Sequence, residues 1–452
     1  MADQMMITDR DLLNMKLGGG VSRVLLAGRV AGMVEKKHLV LRRLFSARAQ
    51  HAGVDFIDLG TDAFYPFYAN YSPTTAAIES IRHHAETARS YPSSFGLIEL
   101  RRACAAFMKS RFNVEIDPLT EVMLTTGASQ SFDALSRSFS GTYFLIPELT
   151  LSTVRSIAIA NGAIPLVIPT EPDTGLPSVS GIAQQLQRLP CPTVRFIYLN
   201  YPNNPTGRTA SRQFFTDIVQ LARQMNLLIV HDMDTWHLNY EGGPLTNILE
   251  IEGARDVAIS ILSLSKEFGL PGIRIGFVVG NAEIINVLRI HNSEFCVMLP
   301  EMCQRAAIAA LESFADDDER KAVDKRIGLA MRTSVDMWKT LGWPEEAISP
   351  PSAGFKYLVL VPPKFRSENG VSRVELFDFF VASHAFVKLS TSRSFNDNNE
   401  NYIRTIVMQD APMMEVAFRR IQESGVHYDM SMPDGLAEEY LSTLEGINLA
   451  SL

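Results

Sequence analysis

The stretch SLSKEFGLPGIRIG, residues 263–276, places one lysine at the end of an apolar run and one arginine eight residues later. A lysine lodged among apolar groups is destabilised as a cation, so its pKa falls and its amine becomes a usable nucleophile. Such an amine forms Schiff bases with carbonyl cofactors. The two-pronged guanidinium of Arg274 suits an anionic group of the same cofactor. For Lys266 taken alone, the alternative is a solvated strand end.

Two further groups of residues suit a phosphate. Ser263 and Ser265 add hydroxyl donors beside the lysine. The segment TTGASQ, residues 125–130, is typical of a strand, a glycine turn and a helix start, where free backbone N–H groups and the helix dipole favour an anion. Many strand–helix turns contain glycine, so this segment alone is a weak signal. Its candidate phosphate-binding residues are Gly127, Ala128 and Ser129.

Asp232 ends the apolar run of IVHDMDTWHLNYEG, residues 229–242, with no cationic partner nearby in the sequence. A buried carboxylate needs a cation, and a protonated pyridine nitrogen would supply one while acting as an electron sink. The alternative is an aspartate that caps a turn.

The string NYPNNPTGR, residues 200–208, predicts a rigid loop after a strand, from which Asn204 can donate its amide to a ring hydroxyl. A structural turn explains its prolines and glycine, but not easily the whole string.

Composition restricts the class of protein. The chain has 452 residues, 46% hydrophobic and 20% charged, with a formal net charge of −8, which indicates a globular protein rather than a disordered one. A mildly acidic chain is a poor candidate for binding nucleic acid or an anionic membrane. No run reaches the length of a membrane span, and the early mix of charges without a long apolar core predicts no secretory signal. Four cysteines without a CxxC pair predict neither a disulfide framework nor a metal site, and favour the reduced cytosol; they are Cys104, Cys191, Cys296 and Cys303.

The chain divides into three predicted parts. Residues 1–54 read as an N-terminal extension or arm, in which the basic segment 36–48 predicts a surface helix or, alternatively, a lid. Residues 55–315 form a large domain, since strands and amphipathic helices alternate there as in a mostly parallel sheet covered on both faces. Residues 316–452 predict a smaller α+β domain with a tail. In such sheets the chemistry gathers beyond the strand ends, where the motifs above lie.

The order of these motifs resembles the class I/II aminotransferase family, the fold-type-I enzymes that use pyridoxal 5′-phosphate (PLP). The resemblance runs from about residue 55 to about residue 425. It implies an α/β fold with a large PLP-binding domain and a smaller C-terminal domain, and a homodimer with shared active sites. The motifs that carry it are YPSSFGLIELR, TTGASQ, NYPNNPTG, the Asp232 segment, SLSKEFGLPGIRIGF and YIRTIVM.

The resemblance assigns roles residue by residue. Lys266 matches the Schiff-base lysine that also shuttles the proton, Asp232 matches the partner of the pyridine nitrogen, and Asn204 matches the residue that contacts the ring hydroxyl and substrate. Tyr91 matches a tyrosine that reaches the phosphate of the neighbouring subunit. Arg404 matches the arginine that binds the substrate α-carboxylate, with a surface arginine on an edge strand as the alternative. The matched phosphate-binding positions are Gly127, Ala128, Ser129, Ser263 and Arg274.

Two positions depart from the family pattern. Thr235 stands where many members have a tyrosine whose hydroxyl polarises the ring oxygen, and Leu149 stands where many have an aromatic ring stacked on the cofactor. Because the fold does not fix the reaction, two reactions on an α-amino acid remain open. Transamination is the leading prediction. The alternative is γ-elimination, γ-replacement or cyclisation on S-adenosylmethionine or a related amino acid in natural-product metabolism, since the lysine motif is also close to that of aminocyclopropane-carboxylate synthases.

Overall fold

The computed structural model describes most of the chain from residue 37 onwards. The predicted extension before residue 37 lies outside the described residues, as do Cys191 and Cys296. Among the described helices, none combines the length and apolar character that a membrane crossing requires. The described residues are 37–60, 65–68, 70–171, 173–188, 194–295, 298–314, 317–391, 395 and 400–445.

A seven-stranded sheet forms the centre of the large domain. Its strands are β2 (Val122–Thr125), β3 (Tyr143–Pro147), β4 (Ile164–Ile168), β5 (Val194–Asn200), β6 (Leu228–Asp232), β7 (Ala258–Ser263) and β8 (Gly276–Gly280). The spatial order is β2-β8-β7-β6-β5-β3-β4, and β8 alone runs antiparallel to its neighbours. Every residue of β2, β6, β7 and β8 is buried, as expected where helices cover both faces. The predicted mostly parallel α/β sheet is confirmed.

Helices cover this sheet on both faces, and alternate residues of each strand join two separate apolar clusters. Ile197 and Ile229 face one cluster, whereas Phe196 and Val230 face the other, because successive strand side chains point to opposite faces. The helices of this part are α3 (Ser72–His83), α4 (Ile98–Phe112), α5 (Ala128–Ser138), α6 (Ser152–Ala160), α7 (Val179–Arg188), α8 (Arg212–Met225), α9 (Ala254–Val257), α10 (Ala282–Phe295) and α11 (Glu301–Glu312), after α1 (Lys37–His51) and α2 (Tyr65–Tyr68).

Local sequence explains where these helices begin and end. Helix α8 begins after Ser211, whose hydroxyl accepts a hydrogen bond from the Phe214 backbone N–H at 3.1 Å, which satisfies one of the unpaired donors of the first turn. It ends at Asn226, which takes the left-handed conformation at φ 52°. The short helix-to-strand connection then places β6 beside β5 in parallel register.

The C-terminal part contains a four-stranded antiparallel sheet with spatial order β12-β13-β10-β9. Its strands are β9 (Ile348–Ser349), β10 (Lys356–Leu360), β12 (Ser390–Thr391) and β13 (Tyr402–Ile406). The 24-residue helix α12 (Asp317–Thr340) leads into it from the large domain. The remaining helices are α13 (Arg373–Ala385), α14 (Ala411–Glu423) and α15 (Leu436–Glu445). This arrangement agrees with the predicted smaller α+β unit.

The described part of the N-terminal extension packs against this C-terminal part. Phe45 of α1 is fully buried and its ring lies 5.6 Å from that of Phe379 in α13. The two-residue strand β1 (Ile57–Asp58) pairs in parallel with β11 (Val387–Lys388). These contacts agree with a helix that packs on its own subunit rather than with a lid. The domain boundaries at 54/55 and 315/316 stay predictions.

Candidate active site

The candidate site begins at the carboxyl ends of two neighbouring parallel strands. Asn200 ends β5 and Asp232 ends β6, and the two residues are direct partners in the sheet register. The Asn200 amide donates to the Asp232 backbone carbonyl at 2.9 Å, and its oxygen accepts from the Asn204 backbone N–H at 2.8 Å. The sheet therefore carries the NYPNNPTGR loop directly over the acidic strand end.

Asp232 is buried, and one of its two carboxylate oxygens accepts no hydrogen bond from the described residues. Oδ2 accepts a hydrogen bond from the Tyr198 hydroxyl at 2.5 Å. Oδ1 is buried and makes no hydrogen bond to any described residue. Burial, and then the nearby charge of Asp234, raise the pKa of Asp232 to about 7. A buried carboxylate oxygen without a donor is energetically costly, and a protonated ring nitrogen is a donor of suitable charge, so this residue fits PLP.

Lys266 follows the end of β7 and is half-buried. Burial is the main cause that holds its pKa well below the usual range, and the charges of Lys356, Arg404 and Arg274 lower it further. The lowered pKa makes the neutral amine more accessible than in a solvated lysine. That form is the nucleophile that Schiff-base formation requires.

The predicted phosphate corner lies where α5 begins. Gly127 precedes this helix at φ 92°, and a Cβ there would lie 2.7 Å from Nη2 of Arg274. Only glycine therefore lets the guanidinium reach across the helix N-terminus. Arg274 itself adopts φ 53° and donates to the backbone carbonyls of Pro271 at 3.0 Å and Thr126 at 3.1 Å.

The remaining phosphate candidates surround this corner. The Ser263 hydroxyl donates to the Ser265 hydroxyl at 2.9 Å, and both serines are buried. Ala128 and Ser129 are the first residues of α5, with Ser129 exposed. Helix N-terminus, hydroxyls and guanidinium form the set of donors that suits a phosphate.

Arg404 brings the small domain to the same site. It is buried on β13, where Nη1 donates to Asn204 Oδ1 at 2.6 Å and Nη2 donates to Ser390 Oγ at 2.9 Å. Its Nε makes no hydrogen bond to any described residue. The alternative interpretation of Arg404 as a surface arginine is wrong, because its guanidinium is buried between the two domains.

Tyr91 differs from the other predicted site residues. Its side chain is 89% exposed, and no hydrogen bond among the described residues joins it to the groups above. Tyr91 therefore lies at the protein surface, away from the site groups described above.

The two departures from the family pattern are visible in the packing. Thr235 is buried, and its Cγ2 lies 3.3 Å from where a Cβ on Gly354 would be. The Leu149 carbonyl accepts from the Asn203 amide at 3.1 Å, so it holds the loop through its backbone. Neither residue supplies a ring or a phenol at the site.

Sequence reasoning missed two residues of the site, Tyr198 and Lys356. Tyr198 lies two residues before Asn200 and shares its sheet face, so strand alternation was the available signal. Lys356 lies inside the apolar string FKYLVLV and is buried, the same signal that drew attention to Lys266. Asp234 lines a cavity with Lys356 and Thr235.

A buried ionic network lies behind the lysine. Glu267 accepts from the backbone N–H groups of Trp236 at 3.0 Å and His237 at 3.2 Å. Its other oxygen pairs with Nη2 of Arg320 at 2.8 Å. Arg320 lies on α12 and also pairs with Asp324 at 2.7 Å. The network fixes the residue next to Lys266 to the helix that joins the two domains.

The sequence profile described as aminotransferase class I and II matches residues 54–420. The match covers most of the chain and includes every residue of the site. The chain belongs to this family. Class I and II aminotransferases use PLP, so the protein is a PLP-dependent transferase.

Relatives of this chain that carry names are also aminotransferases. LL-diaminopimelate aminotransferase 2 from Trichormus variabilis is 30% identical over 83% of this chain and 93% of that protein. L-Glutamine–4-(methylsulfanyl)-2-oxobutanoate aminotransferase from Bacillus subtilis is 28% identical over 73% of this chain and 80% of that protein. These similarities confirm the predicted PLP-dependent aminotransferase and do not favour the γ-elimination alternative.

Solved structures confirm the fold of this aminotransferase. The substrate-bound BacF structure from Bacillus subtilis superposes with a TM-score of 0.78 at 22% identity, over 92% of this chain and 99% of that one. A double mutant of Thermus thermophilus aspartate aminotransferase superposes with a TM-score of 0.75 at 19% identity, over 90% and 99% of the two chains. The predicted fold-type-I architecture is confirmed.

Proposed function

We propose that the aminotransferase transfers the amino group of an α-amino acid to a 2-oxo acid at the site around Lys266. The observation that carries this proposal is the Asp232 carboxylate, whose buried Oδ1 has no donor among the described residues. Asn204 supports it by joining the predicted ring-hydroxyl position to Arg404 of the small domain.

Each residue of the proposed site then has a defined role in the reaction. PLP supplies, when bound, an aldehyde that takes up amino groups and a cationic ring that withdraws electrons from the substrate Cα. Asp232 keeps the ring nitrogen protonated. The neutral Nζ of Lys266 accepts the Cα proton and returns it during transfer. Arg404 binds the substrate carboxylate in the bidentate geometry of a guanidinium, which fixes the orientation of the Cα–H bond.

The phosphate is held by the α5 corner. Its proposed donors are backbone and hydroxyl groups together with one guanidinium, which bind without taking part in proton transfer. They are Gly127, Ala128, Ser129, Ser263, Ser265 and Arg274.

We infer further that the enzyme is a homodimer. Tyr91 is 89% exposed and Phe95 is 39% exposed, with the Arg289 guanidinium 4.5 Å above the Phe95 ring. Val287 and Ile290 of the same α10 helix are also exposed. These exposed apolar side chains, together with the exposure of a predicted cofactor-binding tyrosine, support a partner subunit. We also propose a cytosolic location, on the cysteine usage of the sequence.

The substrate is tested by a single-turnover reaction. The PLP-loaded enzyme is mixed with LL-diaminopimelate, L-glutamine or S-adenosylmethionine, and the cofactor spectrum and products are followed. We expect one of the first two to yield one 2-oxo acid per site and to leave the cofactor in its amine form. Release of methylthioadenosine from S-adenosylmethionine, with the cofactor still in its aldehyde form, would contradict transamination.

Two variants complete the experiment. Lys266→Ala removes the proposed proton carrier, and turnover is expected to fall by at least about 1,000-fold, within the usual contribution of a general base together with covalent anchoring. Lys339→Met changes an exposed lysine paired with Glu345 on the surface and is expected to leave turnover unchanged.

A further inference from the structure

A second lysine faces the site from the small domain. In the pairing of β10 with β13, Leu358 is the direct partner of Arg404 and Lys356 is the partner of Ile406. Cross-strand partners share a face, and diagonal neighbours lie about 7–8 Å apart. Lys356 and Arg404 therefore lie on the same face of the sheet, the one that contacts Asn204 of the large domain.

The next residue along the strand confirms this orientation. The Tyr357 hydroxyl is hydrogen-bonded to Ser334 of α12, within the apolar core of the small domain. Because side chains alternate along a strand, Lys356 points away from that core and toward the large domain. Its ammonium end is accordingly presented to the site rather than to the interior of its own domain.

Lys356 lines one cavity with the residues of the ring-hydroxyl edge. The cavity is bounded by Asn204 and Thr235 from the large domain and by Asp234 beside them. Asn204 is the proposed contact of the ring hydroxyl, and Thr235 is the residue that replaces the family's tyrosine. The cation thus lines the same cavity as the residue that would contact the ring hydroxyl and the residue that replaces the phenol.

We propose that Lys356 is a second active-site lysine, which holds a positive charge at the ring-hydroxyl edge of PLP in place of the tyrosine that Thr235 replaces, with Asp234 as its counter-ion. The inference rests on the proposed function of Lys266 and Asn204. It adds a residue that sets the charge balance of the cofactor.

The electrostatics of the site agree with this placement. Burial lowers the pKa of Lys356 to about 8, and the charge of Asp234 opposes that fall, so the side chain is mainly a cation at pH 7. After burial, Lys356 is the strongest influence that lowers the pKa of Lys266. The charged or titratable groups that face Lys356 are Lys266, Asp232, Asp234, Glu267 and Arg404.

The test is a spectroscopic titration of the PLP-loaded enzyme. The pKa of the protonated nitrogen that joins Lys266 to the cofactor is read from the visible absorption band between pH 5 and pH 10. A nearby cation disfavours that positive charge. Lys356→Met is therefore expected to raise this pKa by about one unit or more, within the usual effect of a charge at short range. Asp234→Asn is expected to lower it.

Opposite shifts distinguish a charge effect from a packing effect, because a structural disturbance has no reason to change sign between the two variants. Lys356→Arg keeps the charge and is expected to restore most of the wild-type pKa. The exposed Lys339→Met variant is the matched control and is expected to give no shift. A cofactor-free measurement gives a second readout: labelling of the Lys266 amine should require higher pH in Lys356→Met than in the wild type.

The outcomes separate this inference from the proposed function. If Lys356→Met and Asp234→Asn both leave the pKa unchanged, or shift it in the same direction, the inference is overturned. A raised KM for the amino acid with no spectral shift would place Lys356 on the substrate instead, which also overturns it. If no variant shows a visible cofactor band and Lys266 carries no cofactor, the proposed function itself fails.

Discussion

At the scale of single residues, Asp232 links the chemistry of the site to the stability of the protein. Its carboxyl is buried without a full set of donors, and its pKa rises from 3.8 to about 7 on folding. A raised folded-state pKa means that the group's contribution to stability is complete below pH 3.8 and is lost as the pH rises through about 7. Above about pH 7 the ionised, buried Asp232 therefore lowers the free energy of unfolding of the cofactor-free enzyme. A protonated ring nitrogen beside it would remove this loss of stability.

Cofactor-free Asp232→Asn should therefore differ from the wild type in the pH dependence of its stability. The free energy of unfolding of the wild type, relative to the variant, should fall between pH 5 and pH 8 by roughly 2 kcal/mol, taking about 1.4 kcal/mol per pKa unit. Urea denaturation at both pH values measures it. A difference that is constant or grows with pH would contradict the assignment. The same variant should bind PLP more weakly than the wild type at pH 8.

The sequence was enough to predict Lys266 and Asp232 as site residues, but not Lys356. Lys266 and Asp232 are visible because each breaks an apolar strand at its end, where a charged group has no ordinary reason to be buried. Lys356 breaks an apolar strand in the same way, but its meaning depends on which face of β10 meets the large domain. That face is set by pairing with β13, about 50 residues away along the chain, which a single sequence does not reveal.

At the scale of elements, helix α12 connects the site to the small domain through Arg320. This side chain is 1% exposed and pairs with Glu267 and Asp324; it also donates to the Glu267 backbone carbonyl at 2.6 Å. Removing one partner of a buried pair leaves an uncompensated charge. The network therefore stabilises the fold and fixes the segment that carries Lys266.

The prediction for this element is a loss of stability from Arg320→Met of about 3–5 kcal/mol. Urea denaturation of the PLP-loaded enzyme measures the loss. The control is Lys321→Met, the next residue of the helix, whose exposed pair with Asp318 at 3.5 Å is worth at most about 1 kcal/mol. Glu267→Gln combined with Arg320→Met should recover part of the loss. Equal effects of the Arg320 and Lys321 variants would show that the buried network does not support the site.

Helices and strands could be predicted from the sequence where their contacts lie between segments close together in the chain. The alternation of strands and amphipathic helices predicts the parallel sheet, since each unit buries its own apolar face. The antiparallel direction of β8 and the pairing of Ile57–Asp58 with Val387–Lys388 depend on segments far apart in the chain. No periodicity in one sequence encodes such partners.

At the scale of the whole molecule, the 89% exposure of Tyr91 is the observation on which the proposed shared active site depends. In the proposed dimer, each site takes Lys266 from one subunit and Tyr91 from the other. Lys266→Ala and Tyr91→Ala homodimers should both be impaired, the first by loss of the amine and the second by weaker PLP binding. A mixed dimer of the two variants contains one site with both native residues.

Mixing the two variants under conditions that exchange subunits should therefore restore activity. One of the two sites in each mixed dimer should be active. Activity at limiting PLP, measured before and after exchange, gives the result, and a Lys266→Ala sample mixed with itself is the control. If mixing restores nothing although mixed dimers form, Tyr91 serves its own subunit or no site at all. The surface for the proposed dimer could not be located from the sequence, because exposed surface is defined only after the chain has folded.

The central claim is a covalent bond between the ε-amine of Lys266 and PLP, with Asp232 setting the charge of the ring. Reduction of the loaded enzyme with a hydride donor, followed by proteolysis and mass spectrometry, tests it most directly. We expect one reduced cofactor adduct per chain, on Lys266, in the wild type and in Lys356→Met alike. An adduct on Lys356 or another lysine, or none on any peptide, would contradict it.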